Sequence, residues 1–200
     1  MVWVGLTGGI ASGKSTISQM FKASGAFIVD ADQIVHDLLG QRGAVYHLVL
    51  NLFGTGILDE MGSIDRKKLG AIVFNDSKKL MALNKIVHPH VFAEAEREGR
   101  ELGSEDPRRV VVFDAPLLIE TRAHKNVDIV ILVYVDKATQ IKRLCERDGM
   151  TEEAAKAKIA LQMPLEEKRA YANEIIDNRK TIPEVCEDVN RISRMLWAAG

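Results

Sequence analysis

Near its N-terminus the chain reads Gly8-Gly9-Ile10-Ala11-Ser12-Gly13-Lys14-Ser15, which matches the phosphate-loop pattern G-x-x-x-x-G-K-S/T. Glycines allow successive backbone N–H groups to approach phosphate oxygens without a Cβ in the way. In such a loop Lys14 reaches the β- and γ-phosphates of a triphosphate, and the hydroxyl of Ser15 binds Mg²⁺. The segment therefore predicts a site for a nucleoside triphosphate.

The sequence on either side of the loop supports this interpretation. The apolar run Val2–Leu6 predicts a buried strand, and the apolar spacing of Thr16–Phe21 predicts a helix. Strand, loop and helix follow one another as the motif requires, and the helix N-terminus favours a bound anion. We expect nucleotide contacts from Gly8, Gly9, Ala11, Ser12, Gly13, Lys14, Ser15 and Thr16.

The composition is that of an ordinary globular protein. The 200 residues include 27 basic and 28 acidic side chains, so we expect neither nucleic acid nor a membrane as the partner. We find no signal peptide pattern and no apolar run of roughly 20 residues, and we expect a cytoplasmic protein. Cys145 and Cys186 are far apart in predicted helices, which favours reduced thiols. The sequence does not indicate the oligomeric state.

Near-continuous apolar runs predict strands that are buried on both faces, as in a parallel sheet. With helices between them they predict a three-layer α/β fold with a five-stranded parallel sheet. The predicted strands cover residues 2–6, 26–30, 110–113, 129–135 and 174–177. The region 40–103 has no strong strand and predicts a helical insertion, with helices over 45–53, 66–74 and 77–102. Further helices are predicted over 34–39, over 136–147, from Thr151 to a stop at Pro164, and over 183–197.

Acidic residues stand at the ends of three predicted strands. In an open parallel sheet, ligands bind beyond the carboxyl ends of the strands. Asp114 is the candidate to hold Mg²⁺ through water, and Asp32 is the candidate to orient and deprotonate an attacking hydroxyl. Asp30 is the second acid of its strand end. For Asp136 we favour a cap of the next helix.

The helix after the fourth strand carries Gln140, Arg143 and Arg147 on one face. Arginines in this position neutralise a transferring phosphoryl group, although salt bridges to Glu146 and Asp148 explain the spacing equally well. For Lys156, Lys158, Lys168 and Arg169 a solvated surface is the better interpretation.

Other residues favour structural roles. The five histidines show no metal-binding spacing, and Pro89 between His88 and His90 predicts a helix kink rather than a ligand pair. We assign the methionines and Trp197 to the core.

Taken together, these motifs resemble the dephospho-coenzyme A kinase family over nearly the whole chain. In that family ATP with Mg²⁺ phosphorylates the ribose 3′-hydroxyl of dephospho-CoA, the last step of coenzyme A synthesis. The matching segments are Leu6–Ile10 with Gly13–Thr16, Asp30–Asp32, Ile64–Arg66 with Leu69 and Val73-Phe74, Ile86–Pro89, Pro116–Leu118 with Glu120, Gln140 with Arg143 and Arg147, Gln162-Met163, and Ile175–Asn178.

The resemblance implies roles for particular residues. Catalytic roles fall on Asp32, Lys14 and Arg143. Beyond the loop, the resemblance implies ATP contacts from Arg143, Arg147 and Asn178. It implies Mg²⁺ binding by Ser15 and Asp114, directly or through water. The residues implied for the acceptor are Asp32, His88, Pro116, Leu117, Leu118 and Glu120.

The resemblance also implies one phosphate-loop domain over residues 1–200 with three parts. A nucleotide core covers 1–39, 104–136 and 173–200, an acceptor subdomain covers 40–103, and a lid covers 137–172. Three positions depart from the family pattern: Ala11 replaces a usual glycine, Lys158 replaces a frequent arginine, and Arg179 follows Asn178 where a small residue is common.

Three other classes of protein carry a phosphate loop. A GTPase switch requires an N-K-x-D segment, and the chain has only Asn84-Lys85-Ile86-Val87. A binding module without turnover has no use for an acceptor-side base such as Asp32. Another nucleotide or small-molecule kinase stays open as the alternative.

Overall fold

Five strands form one parallel sheet in the computed structural model, which describes residues 1–40, 42–73, 76–103 and 109–199. The strand order is β2-β3-β1-β4-β5. The strands are β1 (Val2–Gly8), β2 (Phe27–Asp30), β3 (Val110–Asp114), β4 (Ile129–Tyr134) and β5 (Glu174–Asp177). The predicted α/β fold with a five-stranded parallel sheet is confirmed.

The helices follow the predicted pattern closely. They are α1 (Lys14–Ala23), α2 (Ala31–Gly40), α3 (Ala44–Phe53), α4 (Arg66–Val73), α5 (Ser77–Gly103), α6 (Lys137–Asp148), α7 (Glu152–Ile159), α8 (Leu165–Lys168) and α9 (Ile182–Ala199). The predicted helices over 45–53 and 77–102 are confirmed, as is the helix from residue 66 up to Val73. Phe74, the predicted end of that helix, lies outside the described residues.

The strand register places functional segments at one edge of the sheet. Strand β1 pairs with both β3 and β4, and Leu6 lies opposite Asp114. Strand β4 pairs with β5, where Tyr134 lies opposite Asp177. Because all four strands run in the same direction, the loop after β1 and the residues after β3, β4 and β5 emerge together.

Alternating side chains of β4 build the core on both faces of the sheet, as the twofold repeat of a strand requires. Ile131 and Val133 belong to a buried cluster with residues of α1 and α9, among them Ile17 and Leu196. Leu132 and Tyr134 belong to a second cluster that includes Leu165 of α8. The sheet therefore has helices on both faces.

The chain divides into two compact units, residues 1–29 with 99–200 and residues 30–98. The first contains most of the sheet. The second is helical, and within it α2 packs on α3 while the short 3₁₀ turn at 55–57 packs on α3 and α4. The division puts α2 with the helical unit, whereas the sequence placed the subdomain boundary after residue 39. The three-part assignment stays a prediction.

The predicted end of the helix that begins at Thr151 was wrong. Pro164 does not end α7, which stops at Ile159; instead its carbonyl accepts hydrogen bonds from the N–H groups of Glu167 and Lys168, and the proline begins α8. A proline fits there because the first turn of a helix leaves its N–H groups unbonded.

The assignment of the methionines and Trp197 to the core is only partly right: Met20 and Met150 pack against buried clusters, whereas other members of the set are exposed. Met61 is 83% exposed and Trp197 is 36% exposed. The buried stripe of α9 is Val185, Val189, Ile192 and Leu196. That stripe follows the helical repeat, and Met195 and Trp197 lie next to it rather than on it.

Within the described residues, none of the helices combines the length and apolar character that crossing a membrane requires. Cys145 in α6 and Cys186 in α9 are free thiols.

Asp136 caps α6, as the sequence predicts: its carboxylate accepts hydrogen bonds from the backbone N–H of Thr139 at 2.8 Å and from the Thr139 hydroxyl at 3.0 Å. We expect Asp136→Ala to lower the urea concentration at the midpoint of unfolding, with Asp136→Asn as a control that keeps a capping side chain. Urea unfolding measures this. Equal losses in both variants would contradict the capping role.

The pH dependence provides a second check on this cap. The backbone hydrogen bond from Thr139 holds the pKa of Asp136 below the ordinary value of 3.8. A lowered carboxyl pKa stabilises the folded state above pH 3.8, and this stabilisation is lost as the pH falls through the lower pKa of the folded protein. The stability difference between the parent and Asp136→Ala should therefore shrink in acid.

Candidate active site at the phosphate loop

The loop between β1 and α1 has the backbone shape of a phosphate-binding turn. Gly13 has a φ of 85°, in the left-handed region that favours glycine, and directly precedes α1. A Cβ on Gly13 would lie 2.1 Å from the side-chain nitrogen of Asn178. A glycine is required here both for the backbone angle and for the close approach of Asn178.

Ala11 is strained at a position where the related family usually has glycine. Its φ of 59° lies in the left-handed region, which costs a residue with a Cβ roughly 1–2 kcal/mol. Its methyl group and the side chain of Ile10 pack against a buried cluster of Leu144, Ala155 and Ile159. This apolar contact offsets the strain and ties the loop to α6 and α7.

Two glutamines hold the backbone of Ile10 at the top of the loop. The Ile10 N–H donates to the Gln162 side-chain oxygen, and the Gln140 side-chain nitrogen donates to the Ile10 carbonyl, each at 2.8 Å. Gln140 is buried. The sequence placed Gln140 on the face of α6 that carries Arg143 and Arg147, but it gave Gln162 no site role. The only signal for Gln162 was its position in a motif of the related family.

Lys14 and Asp114 form an ion pair across the top of the sheet. Asp114 is buried at the end of β3, and the Lys14 side chain is mostly buried at the start of α1. The register that sets Leu6 opposite Asp114 explains why the two meet. The candidate Mg²⁺ carboxylate and the candidate phosphate-binding lysine thus lie in direct contact.

The loop hydroxyls differ in exposure. Ser12 is fully buried, and its hydroxyl oxygen has no hydrogen-bond partner among the described residues. Ser15 and Thr16 are exposed in the first turn of α1. The two exposed residues are therefore accessible to a ligand.

Arg143 lies beside the loop, whereas Arg147 is paired elsewhere. Arg143 donates to the Asn178 carbonyl, and the Asn178 side chain donates to the Ser12 carbonyl, each at 2.8 Å. Arg147 makes a bidentate pair with Asp148 at 2.7 and 3.0 Å, which is the salt-bridge alternative that the spacing left open. Hydrogen bonding from Arg147 lowers the pKa of Asp148 to about 2.

The four residues after β3 that are predicted to contact the acceptor differ in burial. Pro116 and Leu117 are half-buried. Leu118, predicted to contact the acceptor, is fully buried, and its methyl carbon lies 2.5 Å from where a Cβ on Gly5 would be. It is a core residue because β1 has a glycine at that point. Glu120 is half-buried and accepts a hydrogen bond from the Met163 N–H at 3.0 Å.

Lys168 was predicted to be solvated and is instead completely buried. Its ammonium group donates to the Pro116 carbonyl at 2.7 Å and pairs with Glu120 at 2.9 Å. Lys156 and Lys158 are exposed and pair with Glu152 and Asp148, as the solvated interpretation expects.

In the helical unit, Asp30 and Asp32 have different roles. The Asp30 carboxylate accepts hydrogen bonds from the N–H groups of Asp32 and Gln33 and so caps α2. Asp32 is exposed in the first turn of that helix. The carboxylate of Asp30 is therefore bound to the local backbone.

His88 and Pro89 lie inside α5 in the same unit. His88 is half-buried, and burial lowers its pKa, which favours the neutral imidazole. Across the described residues there is no cluster of three or more His, Cys, Asp or Glu side chains able to hold a metal ion.

The chain is similar in sequence and in structure to known proteins. The family model for dephospho-CoA kinases matches residues 2–184. A dephospho-CoA kinase of Bacillus cereus is 45% identical over 183 residues, which cover 92% of this chain and 91% of the relative. The solved structure of the dephospho-CoA kinase from Campylobacter jejuni superposes with a TM-score of 0.72 at 29% identity and covers 98% of both chains.

A more distant likeness concerns the fold alone. A shikimate kinase structure from Bacteroides thetaiotaomicron superposes with a TM-score of 0.55 at 14% identity and covers 98% of both chains.

Proposed function

The chain belongs to the dephospho-CoA kinase family, and we propose that it transfers the γ-phosphoryl group of ATP to the ribose 3′-hydroxyl of dephospho-CoA. One observation carries the assignment of the chemistry: the phosphate loop holds Lys14 in an ion pair with Asp114 and has Arg143 beside it. Positive charge beside a carboxylate at the carboxyl edge of a parallel sheet supports phosphate binding there.

The phosphate loop would bind ATP through its backbone N–H groups and through Lys14. The contacts of Gln140, Gln162 and Asn178 fix the loop backbone before the nucleotide arrives. A loop that is already in place loses little conformational freedom on binding. These contacts therefore support tight and oriented binding of the phosphates.

The oxygen donors at the loop fit Mg²⁺, which prefers carboxylate, hydroxyl and water ligands. Ser15 would bind the ion directly, and Asp114 would hold it through water. When bound, the ion would neutralise charge on the β- and γ-phosphates.

Arg143 would stabilise the charge that spreads over the oxygens of the transferring phosphoryl group. Its contact with Asn178 keeps the guanidinium beside the loop. To take part in phosphoryl transfer, Arg147 would have to leave its partner Asp148 and bind the nucleotide instead. We propose that this exchange accompanies closure of the lid within residues 137–172.

On the acceptor side, we propose Asp32 as the residue that orients the ribose hydroxyl and receives its proton. Its exposed position at the start of α2, beside the capping residue Asp30, supports this role. His88, Pro116, Leu117 and Glu120 are further candidates for contact with dephospho-CoA. We also propose a cytoplasmic location, where ATP and the acceptor are available.

A coupled assay of ADP formation from ATP tests which acceptor the protein uses. Dephospho-CoA is compared with AMP, uridine and pantothenate. Preference for dephospho-CoA is the expected result. Preference for another acceptor would favour a different phosphate-loop kinase.

Replacing Lys14 with Ala should lower kcat/KM for ATP at least about a hundredfold, since an electrostatic contribution of roughly 3 kcal/mol is lost. Lys22→Ala is the matched control, because Lys22 is an exposed lysine at the opposite end of the same helix. Near-normal turnover of the Lys14 variant would remove the phosphate-loop assignment.

Replacing Asp32 with Asn should lower kcat by roughly 10² to 10⁴ and leave ATP affinity nearly unchanged, because the amide cannot accept the proton. Asp37→Asn is the matched control in the second half of the same helix, where Asp37 accepts a hydrogen bond from Gln33. Steady-state kinetics and nucleotide titration measure both quantities. Retained kcat with weak binding of MgATP would instead make Asp32 a metal residue.

Limited trypsin digestion tests the lid. Without ligands we expect cleavage after the exposed Lys156 and Lys158 and none after the buried Lys168. An ATP analogue with dephospho-CoA should slow cleavage after Lys156 and Lys158, because closure orders the lid. The Lys156→Gln/Lys158→Gln variant identifies the cleavage sites. Equal rates with and without ligands would contradict closure.

A further inference from the structure

The ion pair between the buried Lys168 and the half-buried Glu120 is costly for a protein to maintain. Lys168 is wholly excluded from water, and one carboxylate oxygen of Glu120 is buried without a hydrogen-bond partner among the described residues. Apolar residues of similar volume often stabilise a core as well as a buried ion pair does. Stability alone is therefore a poor explanation for this pair.

On one side the pair connects to the top of the phosphate loop. The oxygen of Glu120 that pairs with Lys168 also accepts the N–H of Met163. The preceding residue, Gln162, accepts the N–H of Ile10 in the loop. Glu120 thus fixes the backbone immediately next to the glutamine that holds the loop.

On the other side the pair connects to the end of β3. The Pro116 carbonyl accepts hydrogen bonds from Lys168 at 2.7 Å and from the Thr7 hydroxyl at 3.1 Å. Pro116 follows Asp114 by two residues, and Asp114 pairs with Lys14. Burial lowers the pKa of Lys168, and the charge of Lys14 lowers it further while Glu120 opposes both effects.

We propose that Lys168 and Glu120 are positioning residues for phosphoryl transfer, which hold Gln162 against the loop and the 114–116 segment beside Lys14 in one fixed arrangement. Both act through these neighbours rather than by touching the substrate. The proposal rests on the proposed kinase function and differs from the acceptor-binding role that the family resemblance implies for Glu120.

The Lys168→Met/Glu120→Gln double variant tests this role, because it removes both charges and leaves no unpaired buried ion. We expect a folded protein with KM values within about threefold of the parent and a kcat at least tenfold lower, since small misplacements of reacting groups have large effects on rate. The matched control is Lys156→Met/Glu152→Gln, the same two changes in an exposed pair of α7. The control should keep the parent kcat.

Amide hydrogen exchange gives a readout that is independent of activity. The N–H groups of Ile10 and Met163 should exchange faster in the Lys168→Met/Glu120→Gln protein than in the parent and the control. Unchanged exchange at both amides would overturn the proposal. Failure of the parent to phosphorylate dephospho-CoA would count against the proposed function, while the exchange result would still test the coupling.

Two kinetic outcomes would also overturn the positioning role. A folded double variant with a kcat within twofold of the parent would make the pair purely structural. A KM for dephospho-CoA raised more than tenfold with unchanged kcat would make Glu120 a ligand of the acceptor.

If the double variant does not fold, Glu120→Asp decides the question. It keeps the charge and shortens the side chain by one methylene. We expect its kcat to fall at least tenfold with both KM values retained, and a parent-like kcat would overturn the proposal.

Discussion

The pairing of β1 with β3 on one side and β4 on the other sets the geometry of the whole site. With Leu6 opposite Asp114, the loop that follows β1 emerges beside the carboxylate at the end of β3. With β4 paired to β5, Asn178 follows at the same edge and reaches the Ser12 carbonyl. A shift of one residue in a parallel register would exchange the two faces of a strand and bury the wrong side chains. The packing of β4 side chains into a separate core cluster on each face of the sheet therefore fixes the position of the loop as well as the core.

Held in this register, the loop is fixed by side chains that come from distant parts of the chain. Gln140 and Gln162 bond the two polar backbone groups of Ile10, and Asn178 bonds the carbonyl of Ser12. The left-handed backbone of Ala11 is kept in place by apolar packing against α6 and α7. Strained backbone of this kind persists where the surroundings over-determine it, and it is common at binding sites. The phosphate loop is accordingly a preformed structure.

Carboxylates at equivalent strand ends have separate roles, and the element that comes after each strand decides which role its carboxylate takes. Asp30 and Asp136 each precede a helix whose first N–H groups need an acceptor, and both cap it. Asp114 precedes a turn instead of a helix, and its carboxylate is available to pair with Lys14. The sequence predicts the cap at Asp136 because a helix pattern comes directly after it. The difference between Asp30 and Asp32 depends on which of them is the last residue before the helix, and periodicity does not locate helix ends to one residue.

Local patterns in the sequence determined the phosphate loop, the five strands, most helices and the cap of α6, because each depends on residues that are close together in the chain. Only the tertiary structure decided which polar side chains are buried. Lys168 lies in a charged stretch with Glu166, Glu167 and Arg169, which is typical of a solvated surface. It is buried because Leu165 of its own helix packs on the sheet. Its ammonium group donates to the Pro116 carbonyl, which lies 52 residues earlier in the chain, so no local pattern reveals this partner. The burial of Leu118 and the hydrogen bond of Gln162 to the loop also depend on contacts between segments that are far apart in the sequence.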